Sequence, residues 1–259
     1  MRKRAKRSNN KNAELEHLSL ALTLNGRAME DGPKRKHWSA HDIKHITPLT
    51  ATQEDMFHSW FNGYNICAHG SAGTGKTFLA LYLALHSLLD RQEQNRIIVV
   101  RSAVATRDVG FLPGNLEEKT ALYELPYHDI MWELVGRPST YQDMKDANVV
   151  EFMTTSFIRG LTWDNAIVIV DEAQNMTFHE IDSIMTRLGE NSRIIVTGDI
   201  RQTDLDGKKN GASCGMGHFV KVVEGMKEFS TLQFTVNDIV RSNIVKSWIM
   251  ASEAVMQTH

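Results

Sequence analysis

The residues best placed for chemistry lie between a short apolar run, Tyr64–Ala68, and a long one, Phe78–Leu89. They read Gly70, Ser71, Ala72, Gly73, Thr74, Gly75, Lys76, Thr77. Glycines at the first, fourth and sixth positions let a backbone wrap tightly enough for successive N–H groups to point at phosphate oxygens. Lys76 is spaced to reach the β- and γ-phosphates of a nucleotide, and the Thr77 hydroxyl to ligate Mg²⁺. If the following run is a helix, its positive end adds to the cradle. A second group completes the chemistry. Ile167-Val-Ile-Val170 followed by Asp171 and Glu172 sets two carboxylates after a buried-strand pattern. The carboxyl end of a sheet strand is where open α/β folds bind ligands. There Asp171 would hold the metal, largely through water, and Glu172 would orient or deprotonate an attacking water. A glutamate in that place speaks against a small-molecule kinase, and no lid or acceptor-binding motif is visible. A third apolar run, Ile194–Thr197, leads through Gly198-Asp199 to Gln202, spaced to sense the γ-phosphate.

These groups need a sheet to carry them. Strands are expected at Tyr64–Ala68, Ile97–Arg101, Val149–Thr154, Ala166–Val170, Arg193–Thr197 and Leu232–Val236. Helices are expected from Thr50, with capping-box spacing to Gln53, to Asn62-Gly63, then over Phe78–Leu89, Phe178–Leu188 and Asn243–Val255. Residues 102–148, punctuated by Gly110, Pro113, Gly114, Pro126 and Pro138, read as short helices and loops. Alternating strands and helices indicate an α/β fold, a mostly parallel twisted sheet with helices on both faces.

Composition narrows the setting. The 259 residues are 42% hydrophobic and 23% charged, as in ordinary globular proteins. Cys67 and Cys214 are far apart and outside metal-ligand spacing, which disfavours both a disulfide framework and a zinc site. No apolar run reaches the length of a membrane span and no secretory signal opens the chain, so a cytoplasmic location with no membrane partner is expected. Six of the 29 basic residues fall in residues 1–12 with no acid among them, leaving 23 against 31 acids in the remainder. A basic arm on an acidic body often touches nucleic acid, and is also what a solvated tail looks like. Residues 13–24 have the pattern of a short amphipathic helix and 26–45 that of a linker, so residues 1–45 are expected to form an arm and 46–259 the catalytic domain.

The chain resembles the PhoH-like ATPases, a P-loop NTPase family related to the first RecA-like domain of superfamily 1 helicases. Besides the phosphate loop, the resemblance is carried by Val109-Gly-Phe-Leu-Pro-Gly114 with Glu118-Lys119, Asp171-Glu-Ala-Gln-Asn175, Thr186-Arg-Leu-Gly189, Thr197-Gly-Asp199 with Gln202-Thr-Asp204-Leu205, and Asp238-Ile-Val-Arg241. It implies a RecA-like fold, ATP and Mg²⁺ as cofactors, and single-stranded nucleic acid as partner, RNA before DNA. It further implies that Gln53 reads the adenine edge and that Arg101, Ser102 and Arg159 lie on the nucleic-acid side. Arg241 resembles the arginine that neutralises transition-state charge. With one RecA-like domain, that arginine is expected from a neighbouring subunit in a ring, a hexamer. The chain departs from the family where Arg-Pro is usual at Arg101-Ser102, where a glutamate is usual near Asp108, and where Arg-Gly-Arg-Thr is usual at Arg159-Gly-Leu161-Thr162. All these departures fall on the nucleic-acid side. Phe111 and Trp163 are aromatics that would either stack on bases or pack in the core. An ATP-dependent switch acting on a protein partner is the competing reading.

Overall fold

The computed structural model describes residues 38–91, 93–102, 116–200 and 214–256. The chain divides into Met1–His37 and Trp38–His259, and the described residues belong to the second unit. The expected helix at 13–24, Gln202, and the Val109–Gly114 block with Arg107 and Phe111 lie outside them, as do the side chains of Glu118 and Lys119.

Six strands form one sheet: β1 (Asn65–Gly70), β2 (Arg96–Arg101), β3 (Val150–Thr154), β4 (Ala166–Asp171), β5 (Arg193–Gly198) and β6 (Phe229–Phe234). Their order across the sheet is β3-β2-β4-β5-β1-β6, and every pairing is parallel. Parallel strands require crossovers, and helices supply them on both faces. The alternation of side chains splits each strand between two cores. Ile66, Ala68, Ile97, Val99, Ile167 and Ile169 pack with α1 (Ala51–Phe61), α2 (Lys76–Asp90) and α3 (Leu116–Val135). Cys67, Ile98, Val100, Val168, Val170 and Val196 face the other way, toward α5 (Phe178–Met185) and α6 (Met216–Val223). A short α4 (Thr140–Asp146) leads into β3, and α7 (Asn243–Met256) follows β6. All six residues of β4 are buried, as suits the strand that ends in the two carboxylates.

Local chemistry explains the boundaries. Thr50 caps α1 by accepting from Gln53 N at 3.3 Å, but the Gln53 side chain returns its bond one residue early, accepting from Leu49 N at 2.8 Å. The capping box is therefore shifted rather than closed on Thr50. Two expectations fail outright. Pro126 does not end a helix, for α3 runs 20 residues through it. The hydrogen bond that proline cannot make would go to Leu122, and both residues are exposed, so water takes the freed carbonyl. The last strand is Phe229–Phe234, not Leu232–Val236, because Thr235 instead caps a single turn over Val236–Asp238. Helix α6 was not anticipated. Its buried Met216, Phe219, Val220 and Val223 have helical spacing, but glycines at 215 and 217 mask the pattern.

Candidate functional site

The phosphate loop leaves β1 at Gly70 and enters α2 at Lys76. Gly70 has φ +122°, and a Cβ there would overlap Phe234 O on β6. Ser71 N donates to the same oxygen at 3.0 Å. The first glycine is thus required by strand packing. Gly73 and Gly75, at φ +72° and +84°, are left-handed within the loop itself. Carbonyls of the loop face protein donors: Ser71 O accepts from Thr74 Oγ1 (3.0 Å), Gly73 O from Val240 N (3.1 Å) and Thr74 O from Gln53 Nε2 (3.1 Å). Gly75 is the N-cap of α2 and no side chain caps that end. An uncapped helix start fits an anion, whose oxygens take the first-turn amides. Lys76 Nζ lies across the loop, donating to Gly70 O (2.8 Å), Ser71 O (2.7 Å) and Thr74 Oγ1 (3.3 Å).

Strand β5 separates β1 from β4, and all three end at the cleft. Asp171, 4% exposed, is gripped there by three hydroxyls. Thr77 (2.8 Å) and Thr197 (2.6 Å) donate to Oδ1, and Tyr127 (2.9 Å) donates to Oδ2. Burial, then the charge of Asp171, push the Tyr127 phenol well above its ordinary range, so it remains a donor. Thr77 and Asp171 are the oxygen donors that would hold Mg²⁺ here, Asp171 largely through water. Among the described residues no cluster of three or more His, Cys, Asp or Glu is placed to hold a metal. Such a sparse oxygen donor set suits Mg²⁺, which is commonly held by one or two carboxylates together with substrate phosphates and water.

Glu172 adopts the left-handed conformation (φ 54°, ψ 42°) and caps a single turn over Ala173–Asn175. For a residue with a Cβ that is a strained backbone, and it turns the carboxylate away from the strand direction. Burial first, and the charge of Asp171 second, raise its pKa above the ordinary glutamate value, which makes it a stronger base. Gln174 Nε2 donates to Glu172 Oε2, while its Oε1 accepts from Asp199 N at 3.0 Å. One amide therefore ties Glu172 to the end of β5.

A cleft of about 650 Å³ joins these parts. Beyond the loop and the carboxylates its walls include Ile46, Leu49, Gln53, Pro126, Ile130 and Arg241. Arg241 is expected to act from a neighbouring subunit. It stands on the wall of its own chain's cleft, with its Cγ 3.0 Å from where a Cβ on Gly73 would lie. The Val240–Gly73 hydrogen bond clamps this segment to the loop. Gln53 is 3% exposed and both ends of its amide bind backbone, at Leu49 N and Thr74 O. Its observed role is to tie the entrance segment to the phosphate loop; reading adenine would require exchanging those partners.

The expected nucleic-acid residues do not line the cleft. Arg101 lies opposite Asp171 in the sheet, with its guanidinium 5.5 Å from the Tyr123 ring centroid. Ser102 is buried, and Arg159 is exposed beyond the end of β3. Trp163 is buried core. Tyr127, Thr197 and Gln174 also hold the two carboxylates, and no role for them follows from the motifs alone. A threonine ending the strand between β1 and β4 is a signal for Thr197; nothing local marks Tyr127.

A glycine loop between strand and helix, with a buried aspartate and a half-buried glutamate one strand away, defines a P-loop NTPase of RecA-like architecture. Residues 45–253 match the PhoH-like protein family, and the chain belongs to that family. Similar curated proteins include a PhoH-like protein of Mycobacterium tuberculosis (35% identity over 209 residues, 80% of this chain and 58% of that one) and protein PhoH of Escherichia coli (34% over 217 residues, 82% and 60%). A PhoH-like protein of Synechocystis is 40% identical over 185 residues, covering 71% of this chain and 55% of its own. The chain thus spans somewhat over half the length of these relatives. Solved structures with a distant likeness include the Sulfolobus solfataricus SWI2/SNF2 ATPase core in complex with dsDNA (TM-score 0.43, 15% identity, 79% of this chain and 49% of that one) and the Pif1 helicase of Candida albicans (TM-score 0.35, 17%, 73% and 41%). No helix among the described residues is long and apolar enough to cross a membrane.

Proposed function

We propose that this chain hydrolyses ATP with Mg²⁺ in the cytoplasm, and that turnover is coupled to single-stranded nucleic acid, RNA before DNA, in an oligomeric ring. The observation that carries the ATPase reading is the contact of Thr77 Oγ1 with Asp171 Oδ1, beside a half-buried glutamate of raised pKa and within the cleft that holds Lys76. Bound Mg²⁺ supplies positive charge that draws electron density from the phosphate oxygens. The loop amides and Lys76 hold the phosphates, with Lys76 exchanging its carbonyl partners for phosphate oxygens. Glu172 orients the attacking water and takes its proton, while Gln174 fixes the carboxylate. Arg241 acts from the same chain on charge developing at the γ-phosphate, and Gln202 reports whether that phosphate is present. The walls at Ile46, Leu49 and Ile130 give the base an apolar slot.

The nucleic-acid reading draws support from Arg159, exposed between Phe157 (54% exposed) and Leu161, a cation beside a free aromatic past the end of β3. The second reading, an assembly switch acting on a protein, is favoured by α7. Ile244, Trp248 and Val255 are 76%, 73% and 61% exposed along one helical stripe, on the helix whose Ile249 abuts the loop at Gly73. Steady-state ATPase rates with and without single-stranded RNA and DNA separate the two, with Lys76→Ala as the blank. Stimulation by RNA supports the first reading. A flat response with Lys76-dependent turnover supports the second, and no turnover in the wild type refutes both.

A further inference from the structure

We infer that the nucleotide site does not select adenine and takes GTP as readily as ATP, because the amide placed to read a base edge is committed to the backbone. This rests on the ATPase reading and widens its substrate class to purine nucleoside triphosphates.

Adenine shows an amino donor (N6) beside an acceptor (N7) where guanine shows two acceptors, O6 and N7. Reading that difference takes an acceptor and a donor side by side, which a side-chain amide supplies. Gln53 has such an amide, and both its ends are in use. Oε1 accepts from Leu49 N at 2.8 Å, and Nε2 donates to Thr74 O at 3.1 Å. The residue is 3% exposed, and a base that took the Nε2 end would strand a buried carbonyl of the phosphate loop. Gln174, the other amide among the described lining residues, is held between Glu172 and Asp199 N. Backbone donors on either side of Thr47 are committed or missing. Ile46 N donates to the Tyr82 hydroxyl (3.5 Å), Leu49 N to Gln53, and Pro48 has no N–H.

The other side chains that the entrance segment and α3 bring to the cleft do not tell the purines apart. Ile46, Leu49 and Ile130 offer apolar surface to any ring. The Thr47 hydroxyl can donate or accept, and the exposed carboxylates of Asp129 and Glu133 can accept from the amino group of either purine. Arg241 is a donor, but it stands against Gly73 on the phosphate loop. A slot of this kind holds a base by its faces. It forgoes the discrimination of about 10⁴–10⁵-fold available where a ligand edge is hydrogen-bonded.

The test competes ATP and GTP, each with Mg²⁺, against a fluorescent ATP analogue on the full chain, in wild type, Gln53→Ala and Gln53→Glu. In the wild type, GTP should bind no more than about tenfold more weakly than ATP. Gln53→Ala should weaken both by the same factor, about 2–10-fold, because it unties the entrance segment from the loop and removes no base contact. Gln53→Glu keeps an acceptor for Leu49 N but turns a second acceptor on Thr74 O, so it too should weaken both alike. An amide that read the base would give other results. ATP would lead GTP by more than tenfold in the wild type, Gln53→Ala would lose affinity for ATP alone, or Gln53→Glu would swing toward GTP. Any one of these overturns the inference. If neither variant folds, the wild-type ratio decides alone. A wild type that binds neither nucleotide sinks this and the ATPase reading together, whereas binding of both without Lys76-dependent turnover sinks the ATPase reading alone.

Discussion

Gly70→Ala should behave as a folding variant and not as a phosphate-binding variant. Gly70 is the last residue of β1 and pairs with Phe234 of β6. A Cβ added there would overlap Phe234 O and stand 2.8 Å from Phe234 C and 3.0 Å from its N. These are backbone atoms of a strand, so no rotamer change relieves the contact and the two strands must separate. The φ of +122° adds backbone strain of about 1–3 kcal/mol for any residue but glycine. Separation endangers the Ser71 N–Phe234 O bond, worth about 0.5–1.5 kcal/mol, and overpacking adds about 1–3 kcal/mol. The total is roughly 2.5–7.5 kcal/mol, against about 5–15 kcal/mol for a whole domain. At about 2–4 °C per kcal/mol the melting temperature should fall on the order of 10 °C or more. Gly73→Ala is the contrast. Its Cβ would meet Arg241 Cγ at 3.0 Å and Ile249 Cδ1 at 3.3 Å, which are side-chain atoms able to shift. That variant should melt closer to wild type yet lose more nucleotide affinity. Thermal melts followed by circular dichroism and binding of a fluorescent ATP analogue measure both quantities. If Gly70→Ala melts within about 2 °C of wild type while its affinity collapses, the glycine serves phosphate approach and the strand-packing argument is refuted.

Other outcomes follow from the same geometry. Glu172→Gln should keep nucleotide binding and lose turnover by about 10²–10⁴-fold, the usual range for removing a general base; single-turnover hydrolysis checks it, and near-normal turnover removes Glu172 from the chemistry. Arg241→Ala should abolish turnover and spare binding. Because Arg241 lines its own chain's cleft, mixing Arg241→Ala with Lys76→Ala protein should restore no ATPase activity; recovery would place the arginine in its neighbour's site. Burial pushes the Cys67 thiol up to about 12, so its thiolate fraction grows only as pH nears that value. At pH 8 a disulfide exchange reagent should therefore titrate the half-buried Cys214 and reach Cys67 only after denaturation. Two thiols reacting at equal rates in the native protein would contradict the packing of β1.

The sheet could be read from the chain because each strand is a run of β-formers closed by polar or glycine residues. Ile167–Val170 is buried on both faces, so its uninterrupted apolar pattern has one good interpretation in a parallel sheet. The misreadings arose where local signals and tertiary context disagree. Pro126 signals a break, yet α3 passes through it because the missing bond falls on the exposed side. At the last strand, Leu232–Val236 is the more apolar window, but Thr235 with Asp238 forms a tighter local motif and ends the strand at Phe234. In α6 the glycines lower helix propensity while four buried apolar residues outweigh them.

In the site, what could be read locally was the set of residues that would touch phosphate and metal, because a phosphate loop needs its glycines, lysine and threonine in sequence. What could not be read was how the carboxylates are held. Asp171 is fixed by hydroxyls from Thr77, Tyr127 and Thr197, 94, 44 and 26 positions away, and only the topology brings those chains to one point. Arg241 shows the same limit from the other side. The motif identifies the residue type, and the topology sets how it reaches its own chain's cleft. The observed strand order sets β6 beside β1, so the chain leaving β6 passes over the phosphate loop. Val240 N then bonds Gly73 O, and Arg241 is delivered to the cleft one residue later. Placement of the arginine is thus a consequence of β6 being an edge strand next to the loop strand. A variant that weakens the β1–β6 pairing, such as Gly70→Ala, should therefore lower turnover in proportion to the misplacement of Arg241, even at temperatures where the protein remains folded.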